Sequence, residues 1–299
     1  MHVGVILLLG EDEAIGSPPP YEAIRTNAIA AEHIGLDSVW IYDHLLYHFE
    51  GKDPQGVWEG WTIASALAEA TERVALGTLV LCTAFRNPAV TAKMAITLDE
   101  VSNHRLTLGI GAGWHPAEFE AFGLNFSHKV DQFEEATKII GPLVHEGVVD
   151  FTGDYVSAPN CIMLPKPTRR IPLLIAGKQP RMMRLVAQHA DAYNTCWWGD
   201  VSATETDRAN LTAACEAIGR DVSEIEFTVG VVMRFDELLG PSEEPVDPQK
   251  MLAGTVEQIA EGLRAYRMAG VDHIIANIDP LNAEGIAALA RARELALAD

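Results

Sequence analysis

An aspartate and a histidine, Asp43 and His44, directly follow a short apolar run near the start of the chain. That run, residues 37–42, is rich in β-branched and aromatic side chains, which predicts a buried strand. An imidazole ordinarily exchanges protons near neutral pH, so His44 is a candidate proton donor or acceptor in catalysis. The alternative interpretation is a histidine that only bonds a neighbouring loop carbonyl.

Alternating glycines form a second candidate site, after another predicted strand. They are Gly109, Gly111 and Gly113, and Trp114 follows them. Their spacing differs from the dinucleotide-binding fingerprint, and a tight helix start does not follow them. Two interpretations are open: the glycines let the strand end bend in a crowded interior, or they leave backbone N–H groups free for a flat ring or a phosphate.

A third candidate site is the segment Gly177, Lys178 and Gln179, which precedes a predicted helix. Helix N-termini attract anions, so this segment suits a phosphate, although the lysine can equally be solvated. Trp197 and Trp198 end the next predicted strand, either as core or against a heterocycle. We find no metal-ligand spacing and expect no metal, so any redox chemistry needs a bound organic cofactor.

The elements that must position these groups alternate strand and helix. Strands are predicted at residues 3–9, 37–42, 74–81, 105–110, 171–175, 190–195, 226–233 and 272–278, and helices at 21–34, 58–69, 89–101, 128–145, 180–189, 203–218, 255–269 and 282–297. Eight such units predict an α/β fold, a single (β/α)8 TIM barrel over residues 1–299. The alternative is a doubly wound open sheet.

One stretch interrupts this repeat between strands four and five. Residues 148–170 form an insertion, which begins with a hairpin predicted at 148–156 and is long enough for a lid. A polar, proline-bearing stretch at 239–248 is predicted to be a surface loop. In a barrel of this kind, groups at the carboxyl ends of the strands meet at one mouth.

Composition limits the partners and the compartment. The chain has 22 basic and 42 acidic residues and a formal net charge of −20, so neither nucleic acid nor membrane is expected as a partner. The first apolar run is a strand, not a signal peptide, and a cytoplasmic location is expected. Widely spaced cysteines predict reduced thiols and no disulfide framework; they are Cys82, Cys161, Cys196 and Cys215.

Several motifs occur in an order that resembles the bacterial luciferase-like superfamily over nearly the whole chain. They include WIYDH at 40–44, LGTLVL at 76–81, RNPA at 86–89, LGIGAGW at 108–114 and IPLLIAG at 171–177. The Asp-His ending of strand two and the Gly-Ala-Gly-Trp run most resemble the deazaflavin (coenzyme F420) branch. The monooxygenases that use flavin mononucleotide (FMN) are the close alternative.

This resemblance implies a deazaflavin ring in the barrel mouth. A non-prolyl cis peptide would press against its back, at Leu79–Val80 or within the next few bonds to Cys82. His44 would face the reacting carbon and exchange a proton with the substrate, while Asp43 touches the cofactor. The other implied cofactor contacts are Gly111, Ala112, Gly113, Ala176, Gly177, Lys178 and Gln179; Trp114, Trp197 and Trp198 are expected to line the substrate pocket.

The expected function is therefore an F420-dependent oxidoreductase that moves a hydride between the deazaflavin and a small, largely apolar organic substrate. Trp114 stands where sugar-phosphate dehydrogenases of this branch carry a glutamate, which argues against glucose 6-phosphate. A two-component FMN monooxygenase and a non-catalytic barrel that binds a flavin or deazaflavin are the alternatives. The small residues of helix 89–101 and its resemblance to helices that pair in relatives predict a homodimer.

Overall fold

Strands and helices alternate along the part of the chain that the computed structural model describes, residues 1–11, 15–240, 242 and 245–298. The strands are β1 (His2–Ile6), β2 (Ser38–Ile41), β3 (Ala75–Thr78), β4 (Leu81–Cys82), β5 (Leu106–Gly111), β6 (Val148–Thr152), β7 (Ser157–Ile162), β8 (Leu173–Ala176), β9 (Ala192–Trp198), β10 (Glu226–Phe235), β11 (Leu252–Gly254) and β12 (His273–Asp279). The helices are α1 (Tyr21–Ile34), α2 (Gly60–Ala70), α3 (Pro88–Val101), α4 (Pro116–Ala121), α5 (Lys129–His145), α6 (Pro180–His189), α7 (Glu205–Glu216), α8 (Asp236–Leu239), α9 (Val256–Met268) and α10 (Ala283–Leu297).

The parallel sheet closes on itself because β1 pairs with both β2 and β12. Around the barrel the strand order is β1, β2, β3, β5, β8, β9, β10 and β12. The short strand β4 follows β3 in the chain and also pairs with β5. Within the described residues this is an eight-stranded parallel barrel with the helices around it, so the predicted (β/α)8 fold is confirmed. Buried apolar side chains form one layer between strands and helices and a smaller one inside the barrel.

Short elements are where the structure departs from the predicted pattern. Helix α4 and strand β11 were not predicted, because six and three residues are too few to show a periodicity. The antiparallel hairpin of β6 and β7 extends to Ile162, whereas the predicted hairpin ended at residue 156. The second strand was not predicted because its segment is polar and carries Pro159. The loop predicted at 239–248 includes positions 241, 243 and 244, which lie outside the described residues.

The third barrel strand is interrupted at Leu79 and Val80, between β3 and β4. Leu76 pairs with Leu106, whereas Leu81 pairs with Ile110, so the register against β5 moves by one residue. One extra residue in a strand is a β-bulge. The peptide bond between Leu79 and Val80 is cis, at the first of the positions that the resemblance implies.

Two glycines of β5 make room for this bulge. A β-carbon on Gly109 would lie 1.9 Å from the Thr78 carbonyl oxygen, and one on Gly111 would lie 2.6 Å from Val80 Cγ2. The Thr78 hydroxyl also accepts a hydrogen bond from the Gly109 N–H and donates one to its carbonyl, both at 2.8 Å. Close packing of protein atoms therefore explains these two glycines, as the first interpretation of the glycine run expects.

Helix α3 packs against the barrel through a buried face and leaves Val90 and Val101 exposed. The homodimer expected from this helix stays a prediction. Among the described residues, no helix has the length and apolar character to cross a membrane.

The buried carboxylate of Glu32, near the end of α1, holds the loop that leads into β3. It accepts the backbone N–H groups of Glu72, Arg73 and Val74 at 2.8, 2.6 and 3.0 Å. Burial raises the pKa of Glu32, but these three donors outweigh it and hold the pKa below its ordinary value of 4.5. The carboxylate thus stabilises the approach to the strand that carries the bulge.

We predict that Glu32→Ala lowers the free energy of unfolding at pH 7 by about 2–3 kcal/mol, since hydrogen bonds to a charged group are lost. Because the folded pKa is lowered, the stabilisation is complete above pH 4.5 and declines as pH falls through the folded value. Urea denaturation across this pH range is the measurement. Glu22→Ala, on the exposed side of α1, is the control, and an equal loss in both variants would contradict the prediction.

Candidate functional site

The carboxyl ends of the barrel strands surround a cavity of about 1160 Å³. Parallel strands in a barrel end at the same face, which is why side chains distant in sequence meet there. The site residues predicted from the sequence that line this cavity are Asp43, His44, Leu79, Val80, Cys82, Gly111, Ala112, Gly113, Trp114, Ala176, Gly177, Lys178, Gln179 and Trp197.

His44 is oriented by a buried carboxylate. Its Nδ1 lies 3.1 Å from both oxygens of Glu118, whose side chain is 1% exposed. The backbone N–H of Leu45 donates to the same carboxylate at 3.0 Å. Because a carboxylate accepts, Nδ1 carries a proton, and Nε2 on the far edge of the ring is left to act on a ligand.

Sequence reasoning missed Glu118 as a partner of His44. The glutamate lies on α4, which is too short to be recognised, and not at the end of a barrel strand. Phe119, beside it, is fully buried and fixes the helix against the protein. The available signal was Pro116 followed by an acidic residue in the first helical turn, a common helix start that does not reveal a catalytic contact.

Asp43 is buried, and protein donors bind both of its oxygens. Its carboxylate accepts from the backbone N–H of Cys82 at 3.0 Å and from Arg86 at 2.7 and 3.0 Å. Burial raises the pKa of Asp43, and the Arg86 guanidinium opposes that rise. Asp43 therefore links the end of β2 to Cys82 in β4 and to Arg86. Its contact with a cofactor stays a prediction.

Two lysines place positive charge on the cavity wall. Lys178 Nζ lies 3.5 Å from the centre of the Trp198 ring, and burial lowers the pKa of this lysine. Lys129 Nζ donates to the Gly113 carbonyl at 2.9 Å. The contact with Trp198 holds Lys178 beside the N-terminus of α6. The N-cap residue of this helix, Gln179, makes no capping hydrogen bond through its side chain.

Trp198 is the one predicted pocket residue that is not among the described residues lining the cavity. Its indole N–H donates to Thr195 Oγ1 at 2.9 Å, and its face is covered by Lys178. These contacts hold the ring in the wall, whereas Trp197 faces the cavity. The substrate-pocket role expected of Trp197 and Trp198 stays a prediction.

Aromatic rings surround His44 at the mouth. The His44 ring centre lies 4.5 Å from that of Tyr47 and 5.5 Å from that of Trp114, and Phe49 stacks on Trp114 at 6.3 Å. Sequence reasoning missed Tyr47 and Phe49, because the loop after β2 shows no periodic pattern. The site combines one oriented imidazole with an apolar, aromatic wall, which suits an uncharged organic ligand.

Comparison of the sequence with known proteins shows which family this chain is similar to. A family model described as luciferase-like monooxygenase matches residues 1–237. An F420-dependent glucose-6-phosphate dehydrogenase of Kineococcus radiotolerans is 34% identical over 70% of this chain and 63% of its own. A pyrimidine monooxygenase RutA of Allorhizobium ampelinum is 29% identical over 74% of this chain and 62% of its own. The chain thus spans just under two thirds of these relatives.

Solved structures show the same fold. An F420-dependent secondary alcohol dehydrogenase in complex with an F420-acetone adduct superposes with a TM-score of 0.81 at 21% identity, covering 99% of this chain and 98% of that one. Monooxygenase RslO1 from Streptomyces bottropensis superposes with a TM-score of 0.78 at 20% identity, covering 100% and 99%. With the family match over most of its length, the chain belongs to the luciferase-like monooxygenase family.

Proposed function

We propose that this protein is an F420-dependent oxidoreductase that moves a hydride between the deazaflavin and a small organic substrate. The observation that carries the proposal is the His44–Glu118 pair at the mouth of an apolar cavity. Hydride transfer changes the charge of the substrate, and a positioned imidazole can supply or remove the matching proton. The F420-dependent relative at 34% identity supports the same cofactor.

The residues of the cavity fit such a cofactor. At about 1160 Å³ the cavity exceeds what one small ligand needs, so it has room for a tricyclic ring and a second molecule. Leu79 and Val80 would support the ring from behind, and the backbone of Gly111–Gly113 would meet its polar edge. Lys178 and the α6 N-terminus would hold a phosphate. When bound, the deazaflavin supplies or accepts the hydride.

His44 then acts through Nε2. With Glu118 accepting from Nδ1 at 3.1 Å, the ring is fixed in one orientation, with Nε2 on the edge away from Glu118. Nε2 donates its proton as the substrate gains electrons, and it takes the proton back in the opposite direction. The rings of Tyr47, Phe49 and Trp114 lie around His44 at the cavity mouth.

The cofactor choice is tested by equilibrium binding. We predict that the purified protein binds F420 about tenfold or more tightly than FMN, measured by fluorescence titration with each compound. Lys178→Ala should weaken F420 binding, with Lys138→Ala on the outer helix α5 as the control. Tight FMN binding without affinity for F420 would reject the proposal in favour of an FMN monooxygenase, which the relative at 29% identity supports.

We predict that His44→Ala lowers turnover by roughly 10²- to 10⁴-fold, the usual contribution of positioned acid–base catalysis. The affinity for the cofactor should change little, because the ring is held by backbone and apolar groups. His48→Ala removes a neighbouring imidazole that is not among the described residues lining the cavity, and it serves as the control. Normal turnover with a lower melting temperature in His44→Ala would show a structural histidine instead.

Glu118→Gln keeps the shape of the carboxylate and removes its charge. We predict a fall in kcat of roughly 10- to 100-fold, since one charge-assisted hydrogen bond contributes about 1.5–3 kcal/mol. The cofactor Kd should stay within error of the wild type, which separates a positioning role from a general loss of structure. Glu120→Gln, on the exposed side of α4, is the matched control. Unchanged kcat in Glu118→Gln would contradict the role assigned to the pair.

A further inference from the structure

The ammonium group of Lys178 lies over the indole ring of Trp198, 3.5 Å from the ring centre. The two residues meet because Lys178 follows β8, Trp198 ends β9, and these strands are paired neighbours in the barrel. Lys178 lines the cavity, whereas Trp198 is not among the described residues that do so. The indole therefore supports the ammonium group from the wall of the cavity.

A chain of two hydrogen bonds fixes the indole in this position. The Trp198 N–H donates to Thr195 Oγ1 at 2.9 Å, and the Thr195 hydroxyl donates to Asp207 Oδ2 at 2.5 Å. Thr195 and Asp207 are 1% and 6% exposed. Asp207 lies in the first turn of α7, where the helix dipole favours a negative charge. Linked hydrogen bonds strengthen one another in a buried setting, so a carboxylate on a helix holds the ring in one orientation.

The two lysines of the cavity differ in what their ammonium groups contact. Lys129 Nζ donates to the Gly113 carbonyl at 2.9 Å and lies 4.4 Å from the centre of the Phe126 ring. Lys178 has the indole but no hydrogen-bond acceptor within residues 1–11, 15–240, 242 and 245–298. Burial lowers the pKa of Lys178, and the negative charge of Asp207 opposes that fall. Of the two lysines, Lys178 is therefore the one whose N–H donors remain for a ligand.

The start of α6 adds further donors beside this ammonium group. Lys178 precedes Pro180, the first residue of the helix, by two positions, and the N-cap side chain of Gln179 makes no hydrogen bond to the helix. Backbone N–H groups at a helix N-terminus attract anions. A phosphate has several acceptor oxygens, so it can contact the helix start and the ammonium group together.

We propose that Trp198 is a positioning residue for the cofactor phosphate: held by Thr195 and Asp207, it keeps the ammonium group of Lys178 at the start of α6. This inference rests on the proposed function only in requiring a cofactor that carries a phosphate. Trp198 acts through Lys178 and does not contact the phosphate itself. A lysine has a flexible four-carbon side chain, and its ordering on an indole before binding lowers the entropic cost of the phosphate contact.

The test compares ligands with and without a phosphate. FMN and riboflavin differ by one phosphate, and the second pair is F420 and the deazariboflavin chromophore that lacks its phosphate-bearing extension. Fluorescence titration of the full chain gives each Kd, and the phosphate preference is the Kd of the phosphate-free compound divided by that of its partner. We expect this preference to fall about 3- to 10-fold in Trp198→Leu for both pairs, the contribution of one cation–π contact.

The matched control removes the ring beneath the other lysine. Phe126→Leu should leave the phosphate preference unchanged, because Lys129 keeps its hydrogen bond to the Gly113 carbonyl. Thr195→Val preserves the side-chain shape and interrupts the chain to Asp207, so we expect a fall of about 2- to 3-fold, as one neutral hydrogen bond is lost. In a Lys178→Met background, Trp198→Leu should cause no further fall, since the indole acts through the lysine.

The ratio of two Kd values cancels a general weakening of the cavity, because both members of a pair share the ring system. An unchanged preference in Trp198→Leu, an equal fall in Phe126→Leu, or a further fall in the Lys178→Met background would each overturn the proposal. So would a wild type without phosphate preference in either pair. If Trp198→Leu does not fold, Thr195→Val decides, and an unchanged preference there would overturn the proposal. Tighter binding of FMN than of F420 would reject the proposed function and leave these ratios valid, so the two failures are distinguishable.

Discussion

The buried ion pair between Asp43 and Arg86 is the interaction on which the geometry of the site depends. Asp43 binds the guanidinium and the Cys82 N–H together, so the end of β2 is tied to β4. Arg86 also contacts Glu59, which caps the start of α2. The bulge lies just before Cys82 and His44 just after Asp43. Removal of Arg86 would leave the Asp43 carboxylate buried without a countercharge, which is strongly unfavourable.

Strand and helix patterns made the barrel predictable, because each parallel strand is buried on both faces and leaves an apolar run. The polar groups at strand ends were predictable for the same reason, since a barrel gathers them at one mouth. That is why His44, Gly111 and Lys178 could be placed around a common cavity. The cis peptide at Leu79–Val80 was implied only by the resemblance, and the change of register there was not predicted, because nothing in an apolar run reveals it.

Side-chain contacts between segments that are distant in sequence could not be predicted for the candidate site. Glu118 reaches His44 from a helix of six residues, and its neighbour Glu120 looks the same in sequence but faces solvent. Tyr42 belongs to a run that reads as core, and only the structure shows that its hydroxyl oxygen accepts the N–H groups of Leu9 and Gly10. Trp197 and Trp198 likewise look the same in sequence. In the structure, Lys178 lies over the ring of Trp198, whereas Trp197 lines the cavity.

The two cavity lysines have a consequence for how ligands arrive. The protein as a whole carries a net charge of −20, whereas Lys129 and Lys178 present positive charge at the site. An anionic ligand is therefore repelled during its diffusional approach, and at the cavity wall it meets Lys129 and Lys178 beside the carboxylates of Glu11 and Asp279. Dissolved salt screens exposed charges over about 10 Å at 0.1 M and buried contacts much less. Moderate ionic strength thus accelerates the encounter of an anion with this protein, the reverse of the behaviour of a basic protein.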